Sequence, residues 1–353
     1  MKEISVVIPT FNGIKLLEEY LPYLKTALDS YPCDSEVIIV ENGSSDDSVL
    51  FLSRTYPEVR ILKNRVNEGF GPAVNRGVRE AKYGIVLLLN NDIRVEKDFI
   101  KPLVRHFDDP SVFAVVCKSL VNLTDRVINE SVTVPGFSEG LLLSHQPFVH
   151  DKNKEDIKNP CTNFYASGGF GVFDRKKFLE LGGFDDIYHP FYYEDIDLSY
   201  QAWKRGWQVL YEPNSVVHHR SHATSRKVAS DDYINRIEER NRFLLTWKNI
   251  SDPDFIYQHI KWLSAVFIRS FSRGSARERY FLRCLLMALP RLHQVIRYRI
   301  KNSRHIKLSD KRVFALAANV ETSNLKFNRF VDANHFTPDK GPKILLIDPQ
   351  GYQ

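Results

Sequence analysis

Ile4-Ser5-Val6-Val7-Ile8 runs directly into Pro9-Thr10-Phe11-Asn12-Gly13. A near-continuous apolar run followed at once by turn formers reads as a buried strand that delivers polar groups to a loop. The same grammar recurs at 37–40, 59–62, 85–89 and 113–116, and segments 14–30, 45–56, 71–81 and 97–107 carry helical spacing between the runs. Strands buried on both faces and separated by helices specify an α/β fold, a mostly parallel sheet with helices on both faces. Ligands in such sheets bind where the carboxyl ends of strands meet loops. The informative residues therefore follow each strand: Pro9 to Gly13, Glu41 to Asp46, Asn64 to Gly71, and Asn90-Asn91-Asp92.

Composition narrows the class. The chain has 353 residues, 43% hydrophobic and 26% charged, which excludes a disordered, collagen-like or disulfide-scaffold protein. Cys33, Cys117, Cys161 and Cys284 form no C-x-x-C pair, so reduced thiols in a cytoplasmic compartment are expected rather than a zinc knuckle or redox motif. No apolar run approaches the ~18–20 residues that span a bilayer, and the first strand is too short for a signal-peptide core. The net charge of +6 is unevenly placed. Residues 255–312 hold 14 Lys and Arg against two acids, Glu278 and Asp310, a net of +12 that leaves the rest of the chain at −6. Trp262, Phe267, Ile268, Phe271, Phe281 and Leu289 interleave with those bases at roughly helical spacing. Such a stretch suits an anionic membrane interface, or else an ordinary helical pair with solvated arginines. Nucleic acid is not expected, because no recognisable binding motif accompanies the charge.

The organisation expected is a catalytic domain over 1–230, with a nucleotide-binding half over 1–120 and an acceptor half over 121–230. A basic amphipathic helical region follows over 231–312, then a tail over 313–353. Residues 121–165 read as an irregular insertion or lid, and 343–349 as a lone strand. Asp92 ends a buried strand, where a carboxylate can hold a divalent cation against a diphosphate, although an Asn/Asp turn has the same spelling. Apolar spacing after Tyr193 predicts a helix beginning near Glu194. Its acids complement the helix dipole, or Asp195 serves as a general base kept fixed at the helix start. His218, His219 and His222 follow a strand end, where an imidazole beside a carboxylate suits Mn²⁺. Ser44-Ser45-Asp46-Asp47 reads first as a helix cap. The run from Asn67 to Gly77 enters a helix and offers free N–H groups to a phosphate or nucleotide. It matches neither G-x-G-x-x-G nor the P-loop pattern.

Taken in order, Val7 to Asn12, Val40 to Asp46, Asn67 to Gly77, Asn90 to Asp92, and Gly182-Gly183-Phe184-Asp185 leading into Tyr193 to Leu198 resemble an inverting family 2 glycosyltransferase of GT-A fold. The resemblance covers about residues 3–225, and its later part is most similar to the rhamnosyltransferase and galactofuranosyltransferase branch. It implies that Pro9, Thr10, Asn12 and Glu41 line the nucleobase and ribose pocket. Asn67, Gly69 and Asn75 flank the nucleotide, with Asn90 and Asn91 beside it. Asp92 and His219 hold a divalent metal, Mn²⁺ or Mg²⁺. Asp195 is the base with Glu194 beside it, and Gly168, Gly169 and Asp185 lie near the sugar and acceptor. Glu41 stands where the family more often has Asp, and Asn90-Asn91-Asp92 replaces its D-x-D. The implied activity moves a sugar from a UDP- or dTDP-type donor to a hydroxyl of a glycan or lipid-linked glycan, in cell-surface polysaccharide assembly. The expected place is the cytoplasm, peripheral to the inner face of the cell membrane. The competing expectations are a catalytically inactive nucleotide-sugar-binding scaffold and a sugar nucleotidyltransferase. The second would need a basic Gly-rich loop where Pro9 to Gly13 stands.

Overall fold

The computed structural model describes residues 2–122, 127–147, 157–220, 230–271 and 276–318. Strands β1 (Ile4–Thr10), β2 (Ser35–Asn42), β3 (Arg60–Asn64) and β4 (Ile85–Leu88) alternate with helices α1 (Ile14–Asp29), α2 (Ser48–Thr55) and α3 (Phe70–Glu80). All four strands are parallel, in the order β3-β2-β1-β4. Val6, Val7, Ile38, Ile39, Val86 and Leu88 are fully buried, which is why these runs are apolar without alternation. The winding reverses between β1 and β4. A crevice opens at the carboxyl ends of strands at such a switch point.

The second half begins with β5 (Ile93–Val95), α4 (Ile100–Val104) and β6 (Val112–Asn122). Next come β7 (Val127–Asn129), β8 (Val134–Ser138), β9 (Leu141–His145), β10 (Cys161–Thr162), β11 (Gly171–Asp174), α5 (Arg175–Leu181), α6 (Glu194–Lys204) and β12 (Gln208–His219). Strand β11 lies antiparallel between β4 and β6, and β12 runs parallel to β6 on its far side. The sheet is thus mixed at the centre and parallel toward β3. The chain then turns helical: α7 (Asp231–Asn249), α8 (Pro253–Ser270), α9 (Ala276–Ala288), α10 (Leu292–Asn302) and α11 (Asp310–Ala317). Phe243, Leu244, Cys284, Val295 and Val313 join the same buried cluster as the strands.

Several expectations need correction. The described part of 121–165 is not an irregular insertion. It holds β7 to β10, and Val132, Val134, Leu141 and Leu142 are buried to 1% exposure or less. These runs are short and broken by Pro135, Gly136 and Gly140, so their strand period was hidden. The segment 97–107 is a short helix continued by a 3₁₀ turn over Arg105–Asp108, not one helix. His218 and His219 do not follow a strand end; they are the last residues of β12, paired with Arg94 and Ile93 of β5. In the Ser44 to Asp47 run the cap is Asp46 and not Asp47: its carboxylate accepts the N–H of Ser48 at the start of α2 at 3.3 Å and also the N–H of Ile14 at the start of α1 at 3.0 Å. His222 and the strand expected at 343–349 lie outside the described residues.

A buried ion pair ties the C-terminal helices to the body. Lys204, at the end of α6, donates to Asp310, at the start of α11, at 2.7 Å, with side chains 5% and 0% exposed. The Asp310 carboxylate also accepts from Tyr200 and from the N–H groups of Ser251 and Asp252. Removing one partner of such a pair strands the other charge in the interior. Asp310→Ala is therefore expected to cost about 3–5 kcal/mol of stability in a denaturant titration; a loss below about 1 kcal/mol, the scale of an exposed pair, contradicts this reading.

Candidate functional site

The loops after β1 and β2 are laced into one rim. Asn12, at φ 48°, donates its N–H to Ser44 Oγ at 2.9 Å and accepts the N–H of Ser45 at 2.8 Å. Glu41, 5% exposed, accepts the N–H of Ser44 at 2.5 Å. Asn42 is a hub that sequence reasoning missed. Its amide donates to Asn67 Oδ1 and to the Gly69 carbonyl, and its oxygen accepts from Asn64 and from the N–H of Glu68. Gly69 sits at φ 93°, a conformation that suits glycine, and its N–H also bonds Asn67. Across the switch point, Asn91 donates to Thr10 Oγ1 at 2.8 Å. Thr10 and Glu41, near the ends of β1 and β2, and Asn12, Asn67, Gly69 and Asn91 of the neighbouring loops are thus linked, and Pro9 precedes Thr10 in β1. Asn75 is spent elsewhere. Its amide donates to the Phe184 carbonyl and accepts the Phe184 N–H, at 2.7 and 2.8 Å, locking the Gly182 to Asp185 turn.

The opposite wall begins at Tyr192 and Tyr193, two non-glycine residues at φ 69° and 79°. Consecutive left-handed residues of this size persist only where surroundings hold them. Helix α7 does the holding. Asn241 donates to the carbonyls of Tyr188, Phe191 and Tyr192, and Arg240 to that of His189 at 2.7 Å. Seven residues on, Lys248 donates to Asp185 at 2.5 Å and Asp197 at 2.7 Å, and Asn249 donates to Asp197. A seven-residue interval keeps Asn241 and Lys248 on one helix face. Asp185 also accepts the N–H of Ile187, so both its oxygens buttress this turn. Buried polar residues on one face of a helix were the signal that could have found Asn241 and Lys248.

The result is a rigid start to α6. Asp195 Oδ1 accepts its neighbour's N–H, from Ile196, at 2.8 Å, and Oδ2 accepts the N–H of Gly168 at 3.2 Å. Burial raises the Asp195 pKa, and those two N–H donors hold the rise back. Glu194 is 7% exposed, and burial, with Asp195 beside it, pushes its carboxyl up to about 8. The two carboxyls are both raised and differ in support: Asp195 is held by two N–H donors, while Glu194 has the Asp195 charge beside it.

On the other side, Asp92 and His219 meet at the ends of β4 and β12. Asp92 Oδ2 lies 3.7 Å from His219 Nε2, too far for a hydrogen bond. Asp92 Oδ1 is buried and has no hydrogen-bond partner among the described residues. A buried carboxylate oxygen without a donor is what a cation satisfies, so these residues fit a divalent metal. Burial lowers the His219 pKa, but the Asp92 and Glu130 carboxylates on its two sides outweigh it and raise the ring to about 10. His218 points to Glu96 instead, at 2.8 Å.

Two glycines join the walls. Gly168 gives its N–H to Asp195, and the next residue, Gly169, accepts the N–H of Asn90 at 2.7 Å. A Cβ on Gly169 would come within 2.7 Å of the Asn90 amide, so only glycine permits the approach. Tyr165, whose phenol burial pushes far up, is also within electrostatic reach of both Asp195 and Glu130. Sequence reasoning missed Tyr165 and Glu130, because both fall in the stretch taken for an irregular insertion.

The family model for glycosyl transferase family 2 matches residues 5–182. The chain belongs to that family. It is 27% identical over 252 residues to an N-acetylglucosaminyl-diphospho-decaprenol L-rhamnosyltransferase of Mycobacterium tuberculosis, covering 64% of this chain and 79% of that one. It is 28% identical over 230 residues to the O-antigen chain rhamnosyltransferase RfbN of Salmonella typhimurium, covering 64% and 68%. A probable N-acetylgalactosaminyltransferase 9 of Caenorhabditis elegans is 23% identical, and the chain spans only 54% of its length. Among solved structures, GalNAc-T7 with UDP, GalNAc and Mn²⁺ superposes with TM-score 0.57 at 18% identity, covering 86% of this chain and 58% of that one. Staphylococcus aureus TarS 1–349 with UDP-GlcNAc gives 0.52 at 16%, covering 81% and 80%. These likenesses show the GT-A fold.

The Glu194 shift has a sign that can be checked. In the unfolded chain the carboxyl ionises near 4.5, and in the folded protein only near 8. Between those values the unfolded state holds fewer protons, so this residue's contribution to stability falls as pH rises. Glu194→Gln removes the titration. Its gain in melting temperature over the unsubstituted protein is expected to be larger at about pH 9 than at about pH 5; equal gains at both contradict the shift.

Proposed function

We propose that this family member transfers a sugar from a nucleoside diphosphate donor, of UDP or dTDP type, to a hydroxyl of a glycan or lipid-linked glycan, with inversion. The observation that carries the reading is the Gly168-Gly169 link between the strand-end loop of Asp92 and the carboxylate of Asp195. The rim of Pro9, Thr10, Asn12 and Glu41 would take the nucleoside. Asn67, Gly69, Asn90 and Asn91 would border the diphosphate, with Asn75 fixing the adjoining turn. Asp92 and His219 would hold Mn²⁺ or Mg²⁺, which when bound supplies positive charge against the departing diphosphate. The nucleotides in GalNAc-T7 and TarS, and the Mn²⁺ in GalNAc-T7, support this donor class.

Asp195 would accept the proton of the acceptor hydroxyl as its oxygen bonds to the anomeric carbon. The bond from that carbon to the diphosphate oxygen breaks, and the nucleoside diphosphate leaves with the electron pair. Glu194, pushed up further by Asp195 beside it, favours the charge resting on Asp195, which two N–H groups stabilise. The glycines at 168 and 169, with no side chains, let the backbone pass close to Asn90 and Phe184 beside the proposed sugar site, and Asp185 acts through Lys248 to keep the wall in place. The two rhamnosyltransferase relatives, one acting on a diphospho-decaprenol lipid, support an acceptor in cell-surface polysaccharide assembly. The Asp195 base, bonded and raised in pKa, favours an enzyme over an inactive scaffold.

The basic helices support a peripheral site on an anionic membrane at the cytoplasmic face. Tyr257, Ile260, Phe267, Ile268 and Phe271 of α8 and its end are 55–75% exposed, beside exposed Lys261 and Arg269. Ile296 and Ile300 of α10 are 50% and 74% exposed, beside Arg297 and Lys301. Apolar groups flanked by bases are the chemistry of an interfacial helix. No described helix is long and apolar enough to cross a membrane.

Two outcomes follow. Asp195→Asn is expected to lower turnover by ~10²–10⁴-fold while UDP affinity stays near normal; near-normal turnover removes Asp195 as the base. Ile268→Asp with Phe271→Asp is expected to reduce co-sedimentation with phosphatidylglycerol vesicles, and unchanged sedimentation removes this face from membrane binding.

A further inference from the structure

Glu130 is a carboxylate that neither the family pattern nor the strand-end logic points to. It directly follows β7, and its placement is over-determined. Its N–H donates to the Ser119 carbonyl at 3.1 Å, and its own carbonyl accepts from Gln146 at 2.9 Å. Its side-chain Oε1 accepts from Ser119 Oγ at 2.8 Å and meets His219 Nδ1 at 2.7 Å. Ser119 is fully buried and is itself fixed by a bond from its N–H to Ser131 Oγ at 2.8 Å. The carboxylate is thus anchored before it reaches the ring.

The two nitrogens of His219 face different carboxylates, Nδ1 toward Glu130 and Nε2 toward Asp92. An imidazole whose Nδ1 proton is held by a carboxylate acceptor would give up its Nε2 proton, and offer that lone pair, to a cation on the other side. That other side is where Asp92 Oδ1 lacks a donor.

We propose that Glu130 is a positioning residue: it fixes the orientation and tautomer of His219, so that Nε2 and Asp92 share one divalent cation. The inference rests on the metal reading above, and the experiment separates the two. Mn²⁺ binding by the full chain is measured by electron paramagnetic resonance with UDP present, and UDP binding alone by calorimetry without metal. Asp92→Asn and His219→Ala are expected to abolish Mn²⁺ binding. Glu130→Ala is expected to weaken it by ~10–100-fold, the scale of an outer partner of a ligand, with metal-free UDP affinity unchanged. Glu130→Gln keeps the volume and an acceptor oxygen, and is expected to bind Mn²⁺ more tightly than Glu130→Ala. Wild-type Mn²⁺ affinity in Glu130→Ala, with Asp92→Asn silent, overturns the role of Glu130 and leaves the metal site standing. Loss in Glu130→Gln as complete as in Asp92→Asn also overturns it, because Glu130 would then be a ligand. Wild-type Mn²⁺ affinity in Asp92→Asn overturns the metal reading itself.

Discussion

One dipeptide holds the two chemistries of this protein together. The N–H of Gly168 ends on the Asp195 carboxylate, and the carbonyl of Gly169 takes the N–H of Asn90. A Cβ at 169 would force the Asn90 amide to move, and one at 168 would press on Phe184 and Phe70. Without that bridge, the strand-end loop of the parallel half and the acidic helix of the mixed half would be separate surfaces. With it, both are tied to neighbouring backbone atoms of one dipeptide, and every proposed role depends on that.

The C-terminal helices are best understood from the same space outward. Helix α7 spends Arg240, Asn241, Lys248 and Asn249 on the turn and helix that carry Asp195. That turn contains two left-handed tyrosines, a conformation the local sequence does not favour and that tertiary bonds must maintain. The buried charges of Lys248, Asp197, Lys204 and Asp310 are costly to desolvate, and each is paired across elements of the fold. The helical region proposed to meet lipid is thus also the clamp of the helix that carries Asp195, so the two proposed roles share one scaffold.

Much of this was legible in the chain. The parallel half could be read from 4–8, 37–40 and 85–89, because strands buried on both faces need no alternation. The acidic start of α6 could be read because helix termini leave a signature in the charges that complement them. What stayed hidden has a common physical cause. Strands β7 to β10 are short and interrupted, so their signal is lost among turn residues. Glu130 and Tyr165 sit in that stretch and gain meaning only from a histidine and an aspartate far along the chain. Asn75 and Asp185 belong to a motif, yet their atoms are consumed in holding a turn, which spacing alone could not distinguish from touching a ligand.

The central claim is that Asp92 and Asp195 face one another across a single donor site. Anomalous diffraction from crystals grown with Mn²⁺ and UDP measures it directly. The account expects a manganese peak in contact with Asp92 and His219, under a diphosphate whose nucleoside lies at Thr10 and Glu41, with the Asp195 carboxylate open to the same cavity. A manganese peak bound away from Asp92, or a diphosphate on a surface that Asp195 does not reach, would contradict it.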